Sequence, residues 1–246
     1  MGGLGKVFFV SGTDTGVGKT FICGLLAVVF SSLGLRVSVQ KWVSTGADSV
    51  SEDLAFVTRL LGADDVPIAG SDESPYCFRM PASPHIASEM EGIFVDPNRI
   101  RAATARLAIG CDVLLIEGVG GILVPLTRSL LLADLVAELA LPVVLVTRSG
   151  LGTLNHTLLS LEAIRTRRIP IACVVMNAPA KEDDPEIVRD NARTIEEMGK
   201  VRVFGPIPLV SRMEDALSAA GEVADYLLNA SKNEEFCSRA RPKKGS

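Results

Sequence analysis

The amino-acid sequence predicts an α/β protein, with one doubly wound, mainly parallel sheet covered by helices on both faces in a single domain. Short apolar runs that are typical of buried strands alternate with segments of helical periodicity along most of the chain. The helices supply the right-handed crossovers that parallel strands need. Of the 246 residues, 48% are hydrophobic and 22% charged, which suffices for one large core. We assign residues 1–231 to the domain and expect the charged tail 232–246 to be disordered.

Charge and cysteine content exclude several classes of protein. The net charge of -4 and the pI near 5.3 argue against a general nucleic-acid binder. The five cysteines are scattered without a CxxC pair, which argues against a disulfide framework or a zinc site and fits a reducing cytoplasm. No secretory pattern is present, and no apolar run reaches the roughly 20 residues that span a membrane. We therefore expect a cytoplasmic protein with a small-molecule partner, no nucleic acid and no membrane.

The stretch VFFVSGTDTGVGKT, residues 7–20, predicts a phosphate-binding loop between a first strand and a first helix. Its glycines allow backbone N–H groups to curl around a phosphate, Lys19 supplies a cation and the Thr20 hydroxyl can ligate magnesium. The helix adds its positive N-terminal dipole. The strict pattern has glycine where this chain has Thr13, with a glycine one step earlier. The alternative interpretation is a glycine-rich turn with a capping threonine.

Lys41 and Asp53 are the next candidates along the chain. A helix is predicted over 20–33 and a strand over 36–40, so Lys41 comes at the carboxyl end of that strand. Ligands of open α/β sheets gather at this edge, so Lys41 is placed to face the phosphate loop, although an ordinary surface lysine fits this position equally well. Asp53 lies in the first turn of a helix that begins near Ser51. From its position alone we favour the simpler role of a carboxylate that suits the helix dipole.

The middle of the chain carries weaker signals. Residues 61–80 are rich in Gly, Asp, Ser and Pro, and we expect irregular structure there. One helix is predicted to begin at Ser83, and another to run from Asp96 to Gly110. His85 could act as a base, although a single histidine at a helix start is more often structural.

The stretch DVLLIEGVGGILVPL resembles a Walker B arrangement. A fully apolar strand over 113–116 leads to Glu117, and a glycine-rich turn is predicted over 118–121. An acid at this place can take magnesium directly or through water. Because an unpaired carboxylate after a buried strand is costly to hide, we favour a functional Glu117 over a structural one.

Two later strands lead to candidate binding groups. The strand in LPVVLVTRSG feeds a loop over 151–157, where the start of a helix offers free N–H groups to an anion such as a carboxylate, although a simple turn fits equally well. The strand IACVVMN ends in Asn177, whose amide could pair with a base edge. Beyond it we expect a helix over 186–198, a short strand over 201–204, a loop GPIPLV and a closing helix over 213–228.

Taken together, GTDTGVGKT, Lys41, SPHIASEMEG, EGVGGILVPL, LGTLNH and MNAP resemble, in this order, the motifs of dethiobiotin synthetases over about residues 6–228. The resemblance implies a P-loop NTPase fold and a homodimer with the active site at the interface. It implies an ATP- and Mg²⁺-dependent enzyme of biotin biosynthesis. The substrates would be 7,8-diaminononanoate and carbon dioxide, taken up as CO2 or bicarbonate. A carbamate would form, ATP would phosphorylate it, and the second amine would close the ring of dethiobiotin, with ADP and phosphate as the other products.

The resemblance also implies a role for each matching residue. Catalytic roles would fall to Lys41 and Lys19, and metal binding to Thr20, Asp53 and Glu117. Nucleotide contacts are expected from Gly16, Val17, Gly18, Lys19, Thr20, Phe21, Asp53, Glu117, Gly118, Val119, Gly120, Asn177, Ala178, Gly205, Pro206 and Ile207. Substrate contacts are expected from Thr15, Lys41, Thr45, Gly120, Gly150, Leu151, Gly152, Thr153, Leu154 and Asn155. The loop 150–155 would reach the site from the partner subunit.

Three positions depart from the family pattern. Trp42 follows Lys41 where the family commonly has proline, and this tryptophan either reshapes the pocket or packs against a neighbour. Thr45 stands in place of a serine and keeps the hydroxyl. Gly150 replaces a lysine near the substrate loop, which removes a positive charge.

The alternative function is a regulatory ATPase switch of the ParA and MinD kind. Those proteins resemble KGGVGKT at the loop, with a lysine where this chain has Asp14, which argues against this function. A cobyrinate synthetase of the amidotransferase type would carry an added glutaminase domain, for which we expect no room here. A family member that binds nucleotide without turnover is the third possibility.

Overall fold

The computed structural model describes residues 5–178, 184–208 and 213–230, which form a sheet with helices on both faces, as predicted. The strands are β1 (Lys6–Gly12), β2 (Val37–Lys41), β3 (Val43–Thr45), β4 (Tyr76–Phe78), β5 (Val113–Gly121), β6 (Val143–Arg148), β7 (Ile171–Ala178) and β8 (Val203–Pro208). The helices are α1 (Lys19–Ser32), α2 (Glu52–Leu60), α3 (Pro84–Glu91), α4 (Pro97–Gly110), α5 (Leu132–Glu138), α6 (Thr153–Thr166), α7 (Pro185–Gly199) and α8 (Met213–Ala230).

The main sheet has six parallel strands in the order β2-β5-β1-β6-β7-β8. The chain leaves β1 toward β2 on one side and later adds β6, β7 and β8 on the other. The strand order therefore reverses beside β1, and ligands of doubly wound sheets bind at the carboxyl ends of the strands at such a point. The loop between β1 and α1 lies at this edge.

Alternation along β1 builds a core on each face of the sheet. Phe8 and Val10 pack with α1 and α8 on one face, and Phe9 packs on the other face with residues of α4, α5 and α6. All three side chains are almost fully buried. A strand that is covered on both faces is apolar throughout, which explains the unbroken run VFFV.

One expectation about irregular structure was wrong in the first half of the chain. Tyr76–Phe78, within the stretch expected to be irregular, forms β4, and Val43–Thr45, for which no strand was predicted, forms β3. The two strands pair in parallel as a separate small sheet. With three residues each, they are too short to show an alternating pattern.

The predicted turn over 118–121 was also wrong, because β5 continues as a strand to Gly121, which pairs with Gly12 of β1. The predicted loop GPIPLV was wrong over 205–208, which belongs to β8. Two prolines fit there because β8 is an edge strand, where a missing N–H breaks no ladder on the open side. The short helix α5 was not predicted at all.

Two predictions concern residues that the structure does not describe. The tail 232–246 and the end of the assigned domain at residue 231 lie outside the described residues and stay predictions. Among the described helices, none is both long and apolar enough to cross a membrane.

Candidate active site

The phosphate loop is held open by left-handed glycines. Gly16 has a φ of 71° and Gly18, the N-cap of α1, a φ of 95°. Residues that carry a side chain rarely adopt this left-handed backbone conformation, so the loop needs glycine at both positions. A Cβ on Gly18 would also collide with the side-chain amide of Asn177. Lys19 Nζ spans the loop and donates to the Asp14 carbonyl at 2.9 Å.

Four polar side chains meet beside this loop. Lys41 Nζ lies 2.5 Å from Asp53 Oδ2 and 2.8 Å from Glu117 Oε1, and it donates to the Gly118 carbonyl at 3.0 Å. The Thr20 hydroxyl lies 2.7 Å from Asp53 Oδ1 and 2.8 Å from Glu117 Oε1. Lys41 is 3% exposed, so the interpretation as an ordinary surface lysine was wrong.

The fold creates this cluster through strand register. Lys41 ends β2 and pairs directly with Glu117 on the adjacent strand β5. Thr20 comes from the first turn of α1 and Asp53 from the first turn of α2. Asp53 therefore lies where a carboxylate suits the helix dipole, and it contacts Lys41 as well. Residues far apart in the chain meet because β2 ends, α1 and α2 begin, and β5 passes at the same edge of the sheet.

Burial and charge shift the ionisation of the cluster. Burial alone would lower the pKa of Lys41, but Glu117 and Asp53 outweigh burial and raise it. Burial raises the pKa of Glu117, and Lys41 opposes that rise. For Asp53, burial would raise the pKa, but Lys41 outweighs it and the pKa is lowered. Because Lys41 and Thr20 both donate to Glu117 Oε1, we treat Glu117 as a carboxylate in an ion pair.

The oxygens of this cluster fit a hard divalent cation. The Thr20 hydroxyl lies within hydrogen-bond distance of two carboxylates, those of Asp53 and Glu117. Glu117 Oε2 is buried and has no hydrogen-bond partner among the described residues. In the described part of the chain, no group of three or more His, Cys, Asp or Glu side chains is arranged to hold a metal ion. Such a sparse set suits Mg²⁺, which usually completes its shell with water and substrate phosphates.

A cavity of about 350 Å³ opens beside the cluster. It is lined by Thr15, Gly16, Gly18, Lys19, Thr20, Lys41, Thr45, Asp53, Glu117, Val119 and Gly120. Sequence reasoning had selected all of these residues for nucleotide, metal or substrate contacts, and those binding roles stay predictions. The other residues selected for nucleotide contacts do not line the cavity: Val17, Phe21, Gly118, Asn177, Ala178, Gly205, Pro206 and Ile207.

Asn177 joins the phosphate loop to the end of β7. Its side chain is 1% exposed, and its Nδ2 donates to the Val17 carbonyl at 3.0 Å. Its Oδ1 has no hydrogen-bond partner within the described ranges. Ile207 of β8 pairs with Asn177, which brings the predicted segment 205–207 beside it. The amide oxygen thus offers an acceptor, and one of the two amide hydrogens is used by the Val17 carbonyl.

The predicted substrate loop 150–155 lies away from the cavity. Gly152 caps α6, and Leu151 is fully exposed. Thr153 is buried, and its hydroxyl lies 2.8 Å from that of Thr147, which in turn lies 3.4 Å from the Thr13 hydroxyl of the phosphate loop. Within one subunit the loop is therefore tied to the phosphate loop without reaching the cavity.

Sequence reasoning missed several residues around the site. Gln40 and Thr104 hold the Trp42 indole N–H, and Asp14 accepts from Lys19. The signal available for Gln40 was a polar residue beside Lys41 in an apolar strand. His85 hydrogen-bonds with Ser83, through Oγ and Nδ1 at 3.1 Å, and does not line the cavity.

The fold and the site define a nucleotide-binding protein of the P-loop class. Residues 6–216 match a family described as an AAA domain. Over 227 residues the chain is 43% identical to an ATP-dependent dethiobiotin synthetase of Chlorobaculum tepidum, covering 92% of this chain and 94% of that protein. Over 199 residues it is 33% identical to the dethiobiotin synthetase of Methanococcus vannielii, covering 81% and 92%. The chain belongs to the ATP-dependent dethiobiotin synthetase family.

Solved structures of lower identity share the fold. A cobyrinic acid a,c-diamide synthase from Mycobacterium smegmatis, with bound ATP analog and magnesium, aligns with a TM-score of 0.59 at 17% identity, covering 95% of this chain and 98% of that one. A ParA family ATPase from Chlorobium tepidum aligns with a TM-score of 0.52 at 16% identity, covering 96% of both chains. At such identities the likeness shows the fold alone.

Nucleotide affinity should fall as the pH rises through about 8. Burial, aided by the charge of Lys41, lowers the pKa of Lys19 from 10.5 to about 8. Above that pH the free protein has a neutral Lys19, and a triphosphate must restore its proton on binding. Affinity should then drop by up to about tenfold per pH unit. Titration calorimetry from pH 7 to 9, in buffers of different ionisation enthalpy, measures both the affinity and the proton uptake.

A Lys19→Met variant serves as the control, since it should bind nucleotide weakly and without this pH dependence. A wild-type affinity that does not change with pH would contradict the prediction.

Lys41→Met should destabilise the unliganded protein by about 3 kcal/mol, because it leaves two neighbouring carboxylates without their cation. Urea unfolding measures the loss. The matched variant Glu117→Gln keeps the Lys41–Asp53 ion pair and should cost clearly less. Equal losses for the two variants would show that Lys41 does not hold the pair of carboxylates together.

Proposed function

We propose that this chain catalyses an ATP-dependent ring closure, in which 7,8-diaminononanoate, carbon dioxide and ATP yield dethiobiotin, ADP and phosphate. Two relatives, of which the alignment covers 94% and 92%, are ATP-dependent dethiobiotin synthetases. The observation that carries the proposal is the cavity of about 350 Å³, which is lined by the phosphate loop on one side and by Lys41 and Thr45 on the other. A nucleotide switch needs the loop but not an adjoining compartment for a small amine.

Three balanced steps describe the reaction. An amine nitrogen attacks carbon dioxide and loses a proton, which gives a carbamate. A carbamate oxygen attacks the γ-phosphorus, and the bond to the ADP oxygen breaks. The second amine then attacks the carbonyl carbon, the C–O bond to phosphate breaks with its electron pair, and a proton is released. Phosphorylation makes the carbamate oxygen a good leaving group, so the chemistry requires placement and charge neutralisation above all.

The two lysines meet this requirement. Lys19, on the phosphate loop, would bind the phosphates and the carbamate. Lys41 would steady the carbamate and the transferred phosphoryl group. In the unliganded protein its charge is balanced by Glu117 and Asp53, so the cation is already in the site and desolvated before substrates arrive.

The remaining contacts follow the chemistry of the residues present. Thr20, Asp53 and Glu117 would hold Mg²⁺, which would neutralise charge on the β- and γ-phosphates. Thr15 and Thr45 would donate to the diamine or carbamate. The unpaired Oδ1 of Asn177 would accept from the amino group of adenine.

We also propose that the enzyme works as a homodimer in the cytoplasm. The loop 150–155 is exposed at its tip and does not line the cavity of its own subunit, which supports its use at the site of a second copy. There the N-terminus of α6 would bind the substrate carboxylate. The described cysteines, Cys23, Cys77, Cys111 and Cys173, are free thiols, which fits a reducing compartment.

The decisive assay measures phosphate release in the presence of ATP, magnesium and bicarbonate, with and without the diamine. We expect release that requires the diamine, and a Lys41→Met variant that binds ATP but turns over at least about 100-fold more slowly, since one electrostatic contact is worth this much. Release that ignores the diamine and depends on a protein, DNA or membrane partner would instead support the ParA-like switch.

A mixing experiment tests the shared site. Leu151→Glu would place a negative charge in the loop, and this variant and Lys41→Met should each be inactive alone. Random heterodimers from an equal mixture would contain one intact site each, which restores about one quarter of the wild-type activity in a two-fold symmetric dimer. An inactive mixture, with heterodimers shown by native mass spectrometry, would argue for a self-contained site.

A further inference from the structure

We propose that Gln40, Trp42 and Thr104 form a positioning unit that fixes Lys41 for phosphoryl transfer, an inference that rests on the proposed function. Gln40 and Trp42 flank Lys41 in the sequence, and Thr104 lies on α4. None of the three lines the cavity. Their part would be to hold the end of β2, from which the Lys41 side chain extends.

The three side chains of this unit hydrogen-bond to one another. The Trp42 indole N–H donates to Gln40 Oε1 at 3.0 Å and to Thr104 Oγ1 at 3.1 Å. The Thr104 hydroxyl donates to Gln40 Oε1 at 2.8 Å, and Gln40 Nε2 donates to the Asp72 carbonyl at 2.8 Å. All three side chains are buried. Buried polar groups that satisfy one another in this way specify a single arrangement, because any other leaves one of them unpaired.

The network lies on the other face of β2 from the Lys41 side chain. Gln40 and Lys41 are neighbours in β2, so their side chains point to opposite faces. Trp42, directly after the strand, bonds back to Gln40 and to Thr104 of α4. The Lys41 N–H also donates to the Glu73 carbonyl at 2.7 Å. The backbone on which Lys41 depends is therefore held on both sides.

The indole ring supports the other end of the Lys41 side chain as well. Its centroid lies 5.0 Å from that of Phe9. The Phe9 ring approaches Gly118 so closely that a Cβ there would lie 3.0 Å from two ring atoms. The Gly118 carbonyl accepts from Lys41 Nζ at 3.0 Å. Trp42 thus packs against Phe9, which in turn approaches the strand β5 that supplies two acceptors of Lys41, and Trp42 does not itself line the cavity.

Two variants test the unit. Trp42→Phe keeps an aromatic ring against Phe9 and removes the indole donor, and Thr104→Val removes the hydroxyl at nearly constant shape. Each should lower kcat by about 10- to 100-fold, the effect of a small misplacement of a reacting group, while the Kd for nucleotide stays unchanged. Trp42 is the only tryptophan of the chain, so its emission in Thr104→Val directly reports the change in its surroundings.

Two controls separate positioning from stability. Thr104→Ser keeps the hydroxyl and should restore the wild-type kcat. Tyr76→Phe removes another buried hydroxyl, which accepts from the Asp96 N–H at the start of the same helix, and should lower stability without lowering kcat.

The outcomes distinguish the two proposals. A wild-type kcat in both Trp42→Phe and Thr104→Val would overturn the positioning role, and so would a loss of kcat that also appears in Tyr76→Phe. If Trp42→Phe does not fold, Thr104→Val and its serine control decide. A wild-type protein without diamine-dependent turnover would overturn the proposed function and the positioning role together.

Discussion

The ion pair between Lys41 and Glu117 is the contact on which the site depends. Taking two charges out of water costs several kcal/mol per ion, and the cost is recovered only with good geometry and further hydrogen bonds. The fold supplies both, because Lys41 and Glu117 are register partners on adjacent strands and Thr20, Asp53 and Gly118 complete their contacts. The positive charge of Lys41 is therefore stable although the side chain is almost fully buried at the edge of the sheet.

Three features of the sheet place this charge beside the glycine-rich loop. The reversal of strand order beside β1 opens a crevice at the carboxyl edge, the glycine-rich loop fills part of it, and the cavity of about 350 Å³ occupies the rest. The cluster that neutralises Lys41 in the unliganded protein is also the oxygen set that suits Mg²⁺. The same carboxylates thus serve a lysine in one state and would serve a metal ion in the other.

Local patterns predicted much of this arrangement. The spacing from Gly16 to Thr20 and the apolar run that leads to Glu117 are short-range signals, and the loop, the helix and the strand they predict lie where expected, although the strand continues to Gly121. The adjacency of Lys41 and Glu117 was less accessible, because it requires β5 to insert between β1 and β2, an order that no local period encodes. The strands β3 and β4 have three residues each, too few for alternation to show. Thr104, 62 residues from Trp42, could be linked to it only once α4 was placed against the sheet.

Asn177 ties the phosphate loop to the other half of the sheet. One of its two amide hydrogens is donated to the Val17 carbonyl, and its buried oxygen has no hydrogen-bond partner among the described residues. Because β7 carries this side chain and the loop accepts its hydrogen bond, a substitution at position 177 would act on the shape of the loop. The conformation of the loop is therefore encoded in part by a residue 160 positions away in the sequence.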